Sequence, residues 1–283
     1  MVEPADKTAF LGVENSLEGK RWLAREVDDR QALAMSQRLQ LPELVARVMA
    51  ARGIGLDDAD VFLNPTLRDL LPNPSQLVNM DLAAERLATA IMQNETIGIF
   101  GDYDVDGATS TALLRRFIEA QGGHANIYIP DRLKEGYGPN APALLGMAQD
   151  GASLVLTVDC GTAAFEPLSA AREAGLDVIV VDHHAAEPNL PTALAIINPN
   201  RLDDESGQGH LAAVGVAFLL VIAVNRVLRE NNWYTHRPEP DLMGWLDLVA
   251  LGTVCDVVPL VGLNRALVTQ GLKVMARRGN PGL

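Results

Sequence analysis

The sequence predicts an α/β protein in which a parallel sheet carries helices on both faces, preceded by a mostly helical N-terminal region. Three observations predict it. After Asn79, five short apolar runs alternate with helical segments (96–100, 125–130, 153–158, 176–181 and 193–198), the spacing of βαβ units. These runs are apolar almost throughout, which fits strands buried on both faces. Before Asn79 the apolar residues recur at helical rather than strand spacing.

The elements follow in order. Residues 30–53, RQALAMSQRLQLPELVARVMAARG, read as helical pieces broken at Pro42 and stopped at Gly53. Pro65, Pro72 and Pro74 then punctuate short helical pieces. MDLAAERLATAIMQN reads as a helix feeding the first strand. Helices over 108–121, 139–149 and 163–175 connect the strands, and helix 212–230 with segment 241–256 closes the domain. The longest apolar run, 211–224, is too short to span a bilayer and reads as a buried helix. The predicted divisions are a helical region over 1–78, a catalytic domain over 79–262, and the start of a connector helix over 263–283.

Charge narrows the function. A net charge of -13, from 36 acidic and 23 basic residues, argues against a protein that coats duplex nucleic acid. It leaves room for an enzyme whose acids are offset by cations. The two cysteines, Cys160 and Cys255, form no CxxC pattern, which suits a reducing, cytoplasmic setting. The start, MVEPADKTAF, has no signal-peptide core. No nucleophile elbow or P-loop is present, and the loose glycine pattern GQGHLA (207–212) follows DDES rather than a strand.

Acids stand where strands end. TIGIF runs into Asp102, SLVLTV into Asp159, and LDVIVV into Asp182-His183-His184; Asp256 follows LVALGTVC. A parallel sheet brings the carboxyl ends of its strands to one edge, where ligands bind at a switch point. Carboxylates with imidazole there predict a cation site, with Mn²⁺ or Mg²⁺ favoured over Zn²⁺, and enough acids for two ions. Taken singly, an aspartate after a strand is more often a turn or helix cap. DYDVDG also opens like a calcium loop, but Leu113 stands where that loop needs glutamate and a strand precedes it. Gly107 is expected to precede a helix whose first amides hold a phosphate or are simply capped.

Together, GDYDVDGATSTAL, VDCGT, VDHH and ALGTVCDVVPL resemble the four motifs of the DHH phosphoesterase superfamily. They most resemble its RecJ branch, the single-strand-specific 5′→3′ DNA exonucleases. IPDRLKEGYG (129–138), IINPNR (196–201), AAVGVAFLL (212–220) and FLNPTLRDLLPNP are similar to RecJ connecting segments. The resemblance implies a two-metal phosphodiesterase that releases mononucleotides in DNA repair and recombination. Asp104 would bind one ion and Asp106 the other, with Asp159 bridging and His183 and Asp256 completing the second ion's shell. Asp102 would lie in or next to the first shell. The catalytic set is then Asp159, His183 and His184, and His184 and Arg132 would contact the substrate phosphate; for Arg132 a surface ion pair to Asp131 or Glu135 is the competing expectation. Many relatives have histidine where this chain has Phe100, so water or Asp102 would fill that place.

The resemblance further implies single-stranded DNA with a 5′ end as partner, a helicase and a single-strand-binding protein beside it, no membrane, and a monomer. It also implies a second substrate-binding domain, for which NRALVTQGLKVMARRG resembles the start of the connector. A small-substrate phosphoesterase of the same superfamily is the alternative, acting on oligoribonucleotides, cyclic dinucleotides or pyrophosphate. The 95 residues before the first strand weigh against it. A non-enzymatic scaffold would have lost acids that are all present here.

Overall fold

In a computed structural model, residues 8–283 are described; the opening MVEPADK lies outside them. The chain divides into two compact units at Asn64/Pro65. In the first, α1 (Asp29–Leu39), α2 (Glu43–Ala51) and α3 (Ala59–Leu63) pack around Met35, Ala46, Met49 and Ala59. Asp28 caps α1 by accepting from the Arg30 and Gln31 amides, and Pro42 separates α1 from α2 as its missing N–H requires. Residues 8–28 hold one short 3₁₀ turn, Phe10–Gly12, in place of a helix.

The second unit begins with α4 (Leu67–Leu70) and α5 (Met80–Met92). Strands and helices then alternate: β1 (Thr96–Gly101), α6 (Val105–Ala120), β2 (His124–Tyr128), α7 (Arg132–Glu135), α8 (Ala141–Gln149), β3 (Ala152–Val158), α9 (Phe165–Glu173), β4 (Asp177–Val181) and β5 (Ala195–Ile197). Helices α10 (Ala213–Glu230), α11 (Leu246–Cys255) and α12 (Gly262–Met275) follow. All strand pairs are parallel, in the order β2-β1-β3-β4-β5. The chain leaves β1 for β2 on one side and returns to β3 on the other, so the switch point lies between β1 and β3.

Alternation along the strands assigns the two faces. Ile97 and Ile99, Leu154 and Leu156, and Ile179 and Val181 join the larger core with α5, α6 and α10. Phe100, Val155, Val178 and Val180 join a separate core with α8 and α9. The α10 run expected as buried is indeed so, from Ala213 through Val221. Among the described residues no helix is long and apolar enough to cross a membrane.

One boundary differs from expectation with a clear cause. Helix α6 starts at Val105, not after Gly107, because Asp104 is its cap: Asp104 Oδ1 accepts from the Gly107 amide at 2.9 Å. The motif's last acid, Asp106, thereby falls in the first helical turn.

Candidate functional site

Each strand-end acid extends the sheet ladder by one residue. Asp102 donates its amide to Val158, Asp159 to Val181 and Asp182 to Ile197, at 3.2, 3.0 and 3.0 Å. Parallel pairing therefore lines the three acids across the carboxyl edge of β1, β3 and β4. Asp102 and Asp159 straddle the switch point. Asp256 arrives from the C-terminal end of α11.

Their donor atoms gather into three overlapping groups, each within 4.8 Å: Asp102, Asp104 and Asp159; Asp106, His183 and Asp256; and Asp159, His183 and His184. His183 Nε2 stands 3.3 Å from Asp159 Oδ1, 3.7 Å from Asp256 Oδ2 and 3.9 Å from Asp106 Oδ2. Asp104 and Asp106 thus fall in different groups, while Asp159 belongs to two of the three and lies 3.3 Å from His183 of the remaining one.

Buried polar atoms ordinarily find hydrogen-bond partners. Here Asp102 Oδ1, Asp159 Oδ1, Asp256 Oδ2 and His183 Nε2 are buried and make no well-formed hydrogen bond among the described residues, although Asp159 Oδ1 and His183 Nε2 face each other at 3.3 Å. Asp159 is 1 % and Asp102 4 % exposed, so bulk water does not supply the missing partner. Burial pushes Asp159 up to about 8, with Asp106 and Asp104 adding like charge against His183. Burial also raises Asp106 to about 6, opposed by two amides and His183. Asp102 and Asp256 are raised by burial and by Asp104. Burial disfavours a charged His183, yet Asp159, Asp106 and Asp256 outweigh it and lift the imidazole to about 9. Divalent cations between these oxygens and the ring nitrogen would relieve both the repulsion and the unmet bonding, so the residues fit such ions.

The surroundings fix this geometry through contacts that the sequence did not announce. Asp106 accepts from the Ala213 and Val214 amides at 2.6 and 2.9 Å, so the first turn of α10 orients it. Asp182 carries no ion-facing atom in these groups and acts as a clamp instead. Its carboxylate accepts from the amides of Thr162, His183 and His184 and meets His184 Nδ1 at 2.7 Å. Burial alone would raise Asp182, but His184 and Thr162 hold it well below the usual carboxylate range. Asn198 and Asn200 donate to the His184 and His183 carbonyls, giving the IINPNR segment a definite task. The Tyr137 hydroxyl donates to the Asp159 carbonyl at 2.9 Å and lies 3.3 Å from His184 Nδ1.

Arg132 makes neither of the ion pairs weighed for it. Asp131 pairs with Lys134, and Glu135 accepts from Tyr128, Asn140 and the Asp131 amide. The Arg132 guanidinium instead stacks over Tyr103 at 4.7 Å, next to Asp102 and Asp104 in sequence. Phe100 is fully buried and stacks on Tyr128 at 5.4 Å in the α8–α9 core. GQGHLA is a loop leading into α10 and opens no dinucleotide fold.

Comparison with known proteins identifies the fold and the family. The chain is 38% identical over 264 residues to the single-stranded-DNA-specific exonuclease RecJ of Bacillus subtilis (strain 168), covering 93% of this chain and 32% of that protein. It is 42% identical over 247 residues to the RecJ of Dickeya dadantii (strain 3937), covering 86% and 42%. The crystal structure of RecJ in complex with Mn²⁺ from Thermus thermophilus superposes with a TM-score of 0.69 at 32% identity, over 88% of this chain and 34% of that one. The chain therefore spans less than half the length of these relatives. Residues 96–253, from the first strand almost to the end of α11 and including every strand-end acid, match the model of the DHH family, N-terminal domain, and the chain belongs to that family.

Proposed function

We propose that this chain carries the metal centre of a 5′→3′ exonuclease that hydrolyses single-stranded DNA to mononucleotides in DNA repair and recombination. The observation that carries it is the set of three overlapping donor groups, linked through Asp159 and His183, with buried oxygens and a ring nitrogen lacking well-formed hydrogen bonds. Direction and substrate rest on the similarity to RecJ proteins. Asp102, Asp104 and Asp159 would hold one Mn²⁺ or Mg²⁺, and Asp106, His183, Asp256 and Asp159 the other. Such a pair, when bound, activates water and neutralises charge on the phosphodiester.

The protein's own groups do the rest. Arg132, in no ion pair among the described residues and propped on Tyr103, offers its N–H fork to a non-bridging phosphate oxygen. His184, with Nδ1 held by Asp182, presents Nε2 to the same phosphate. The carboxylates repel an unaccompanied phosphate, so substrate binding depends on the ions. Both cysteines are free, in keeping with a cytoplasmic setting, and a monomer supplied by a helicase and a single-strand-binding protein fits the same role.

The test is manganese-dependent digestion of 5′-phosphorylated single-stranded DNA, compared with duplex, a strand open only at its 3′ end, and a dinucleotide. Progressive release of mononucleotides from the 5′ end is expected. Turnover of the dinucleotide or of pyrophosphate alone would replace this function with the small-substrate one.

Ion binding should also release protons. In the metal-free site burial and the neighbouring carboxylates raise Asp159, and those same carboxylates raise His183, so the pair retains protons near neutral pH. Ligands must shed these to bind a cation. We expect about one to two protons released per chain and affinity that climbs from pH 6 to pH 9. Calorimetric titration with Mn²⁺ in buffers of different ionisation enthalpy measures it; a heat independent of buffer would contradict the assignment.

A further inference from the structure

Beside the carboxylate groups a cavity of about 450 Å³ opens between the 137–139 segment and the start of α9. Two aromatic rings face it, Tyr137 and Phe165, and Pro139 and Pro167 extend its apolar lining. These rings are 55 % and 40 % exposed; a pair of open aromatic faces around one concavity is the usual mark of a ligand surface. His184 and Asp182 belong both to this cavity and to the site already described.

Charge decides what fits. The acids on the lining are Glu166 and Asp182, and among the described residues that line it there is no lysine or arginine. A phosphate is therefore not the occupant. Asp182 is spent on Thr162, His183 and His184, leaving flat apolar walls. A neutral planar group attached to a phosphate at His184 matches both features.

We propose that this cavity is a nucleobase subsite, taking the base next to the scissile phosphodiester and stacking it against Phe165 and Tyr137. The proposal rests on the nuclease function and deepens it. Stacking accepts every base, so the subsite gives affinity without sequence preference. It also rejects duplex: a paired base cannot turn into a lateral cavity without losing its partner and its stack. Selectivity for single strands then has a source within this unit.

Calorimetry in Mn²⁺ with deoxyadenosine 5′-monophosphate and with deoxyribose 5-phosphate isolates the base. The 283-residue chain should prefer the nucleotide by about 5- to 100-fold, the usual range for one stacked base. Phe165→Ala should lose most of that preference while binding the sugar phosphate unchanged, and Phe165→Trp should keep it. Circular dichroism confirms that the variants fold, as expected for a half-exposed ring. Equal affinity for the two ligands, no measurable binding of either, or a preference that survives Phe165→Ala would overturn the subsite. If the preference holds but single-stranded DNA is not shortened, the nuclease function fails and the base subsite stands.

Discussion

Asp159→Asn is expected to lower manganese-dependent digestion of single-stranded DNA by about 10³-fold or more, and to make the metal-free protein more stable. Activity falls because Asp159 belongs to two of the three donor groups and its Oδ1 lies 3.3 Å from His183 Nε2 of the third, and an amide in its place would not balance the charge of the ions these groups would hold. Stability rises because the same carboxylate is 1 % exposed, has one oxygen without a partner, and faces Asp106 and Asp104. The backbone there has φ 61, which asparagine adopts readily, so the exchange adds no strain. The gain should be roughly 1–3 kcal/mol at neutral pH.

The pH dependence has a definite sign. Asp159 is raised from an ordinary value near 4 to about 8, so its protonated form favours folding at low pH and that help is lost as pH rises through 8. His183, raised to about 9, stabilises fully below its ordinary 6.5 and loses this as pH passes 9. Both make metal-free stability decline between pH 5 and pH 9. Thermal unfolding with chelator should show the decline in the natural protein and a shallower one in Asp159→Asn. With Mn²⁺ the natural protein should gain stability and the variant little. A variant that stays active, or metal-free stability that climbs with pH, would sink the assignment.

The fold was legible because its strands are short and mostly apolar, and three of the five, β1, β3 and β4, run straight into an acid. Five runs located to within about two residues of β1–β5 suffice, since parallel pairing then places Asp102, Asp159 and Asp182 along one edge. What escaped was carried by backbone or by distant partners. Ala213 and Val214 are apolar letters, and nothing in them announces that their amides hold Asp106 across the domain. Asp182 looks from sequence like another ligand, yet its partners are backbone amides and His184. Arg132 has acids as sequence neighbours, and the choice of Tyr103 over them depends on where α7 falls relative to the end of β1. Residues 8–28 hold little helix because that stretch folds back on itself, with backbone bonds from Phe10 to Trp22 and from Trp22 to Val13.

Gly107→Ala should damage this protein although alanine normally improves a helix. Gly107 is the third residue of α6, where the exchange ordinarily gains up to about 1 kcal/mol. A Cβ at this position would lie 2.5 Å from the Asp102 carbonyl oxygen and 2.8 Å from the Asp102 carbonyl carbon and Cα. All three are backbone atoms at the end of β1, so no side chain can turn aside to make room. Leu113, Leu114, Phe117 and Ile118 lock α6 into the core, which prevents the helix from retreating. The added methyl must therefore prise Asp102 away from the turn that carries Asp104 and Asp106. We expect a loss of about 1–3 kcal/mol together with weakened Mn²⁺ binding. Gly146→Ala in α8 is the matched control, since nothing lies within 4 Å of its added Cβ; it should be neutral or stabilising. Denaturant midpoints and Mn²⁺ titrations of the two variants decide the matter. Equal responses from both would mean that the close approach of helix and strand is not what the motif's glycine provides.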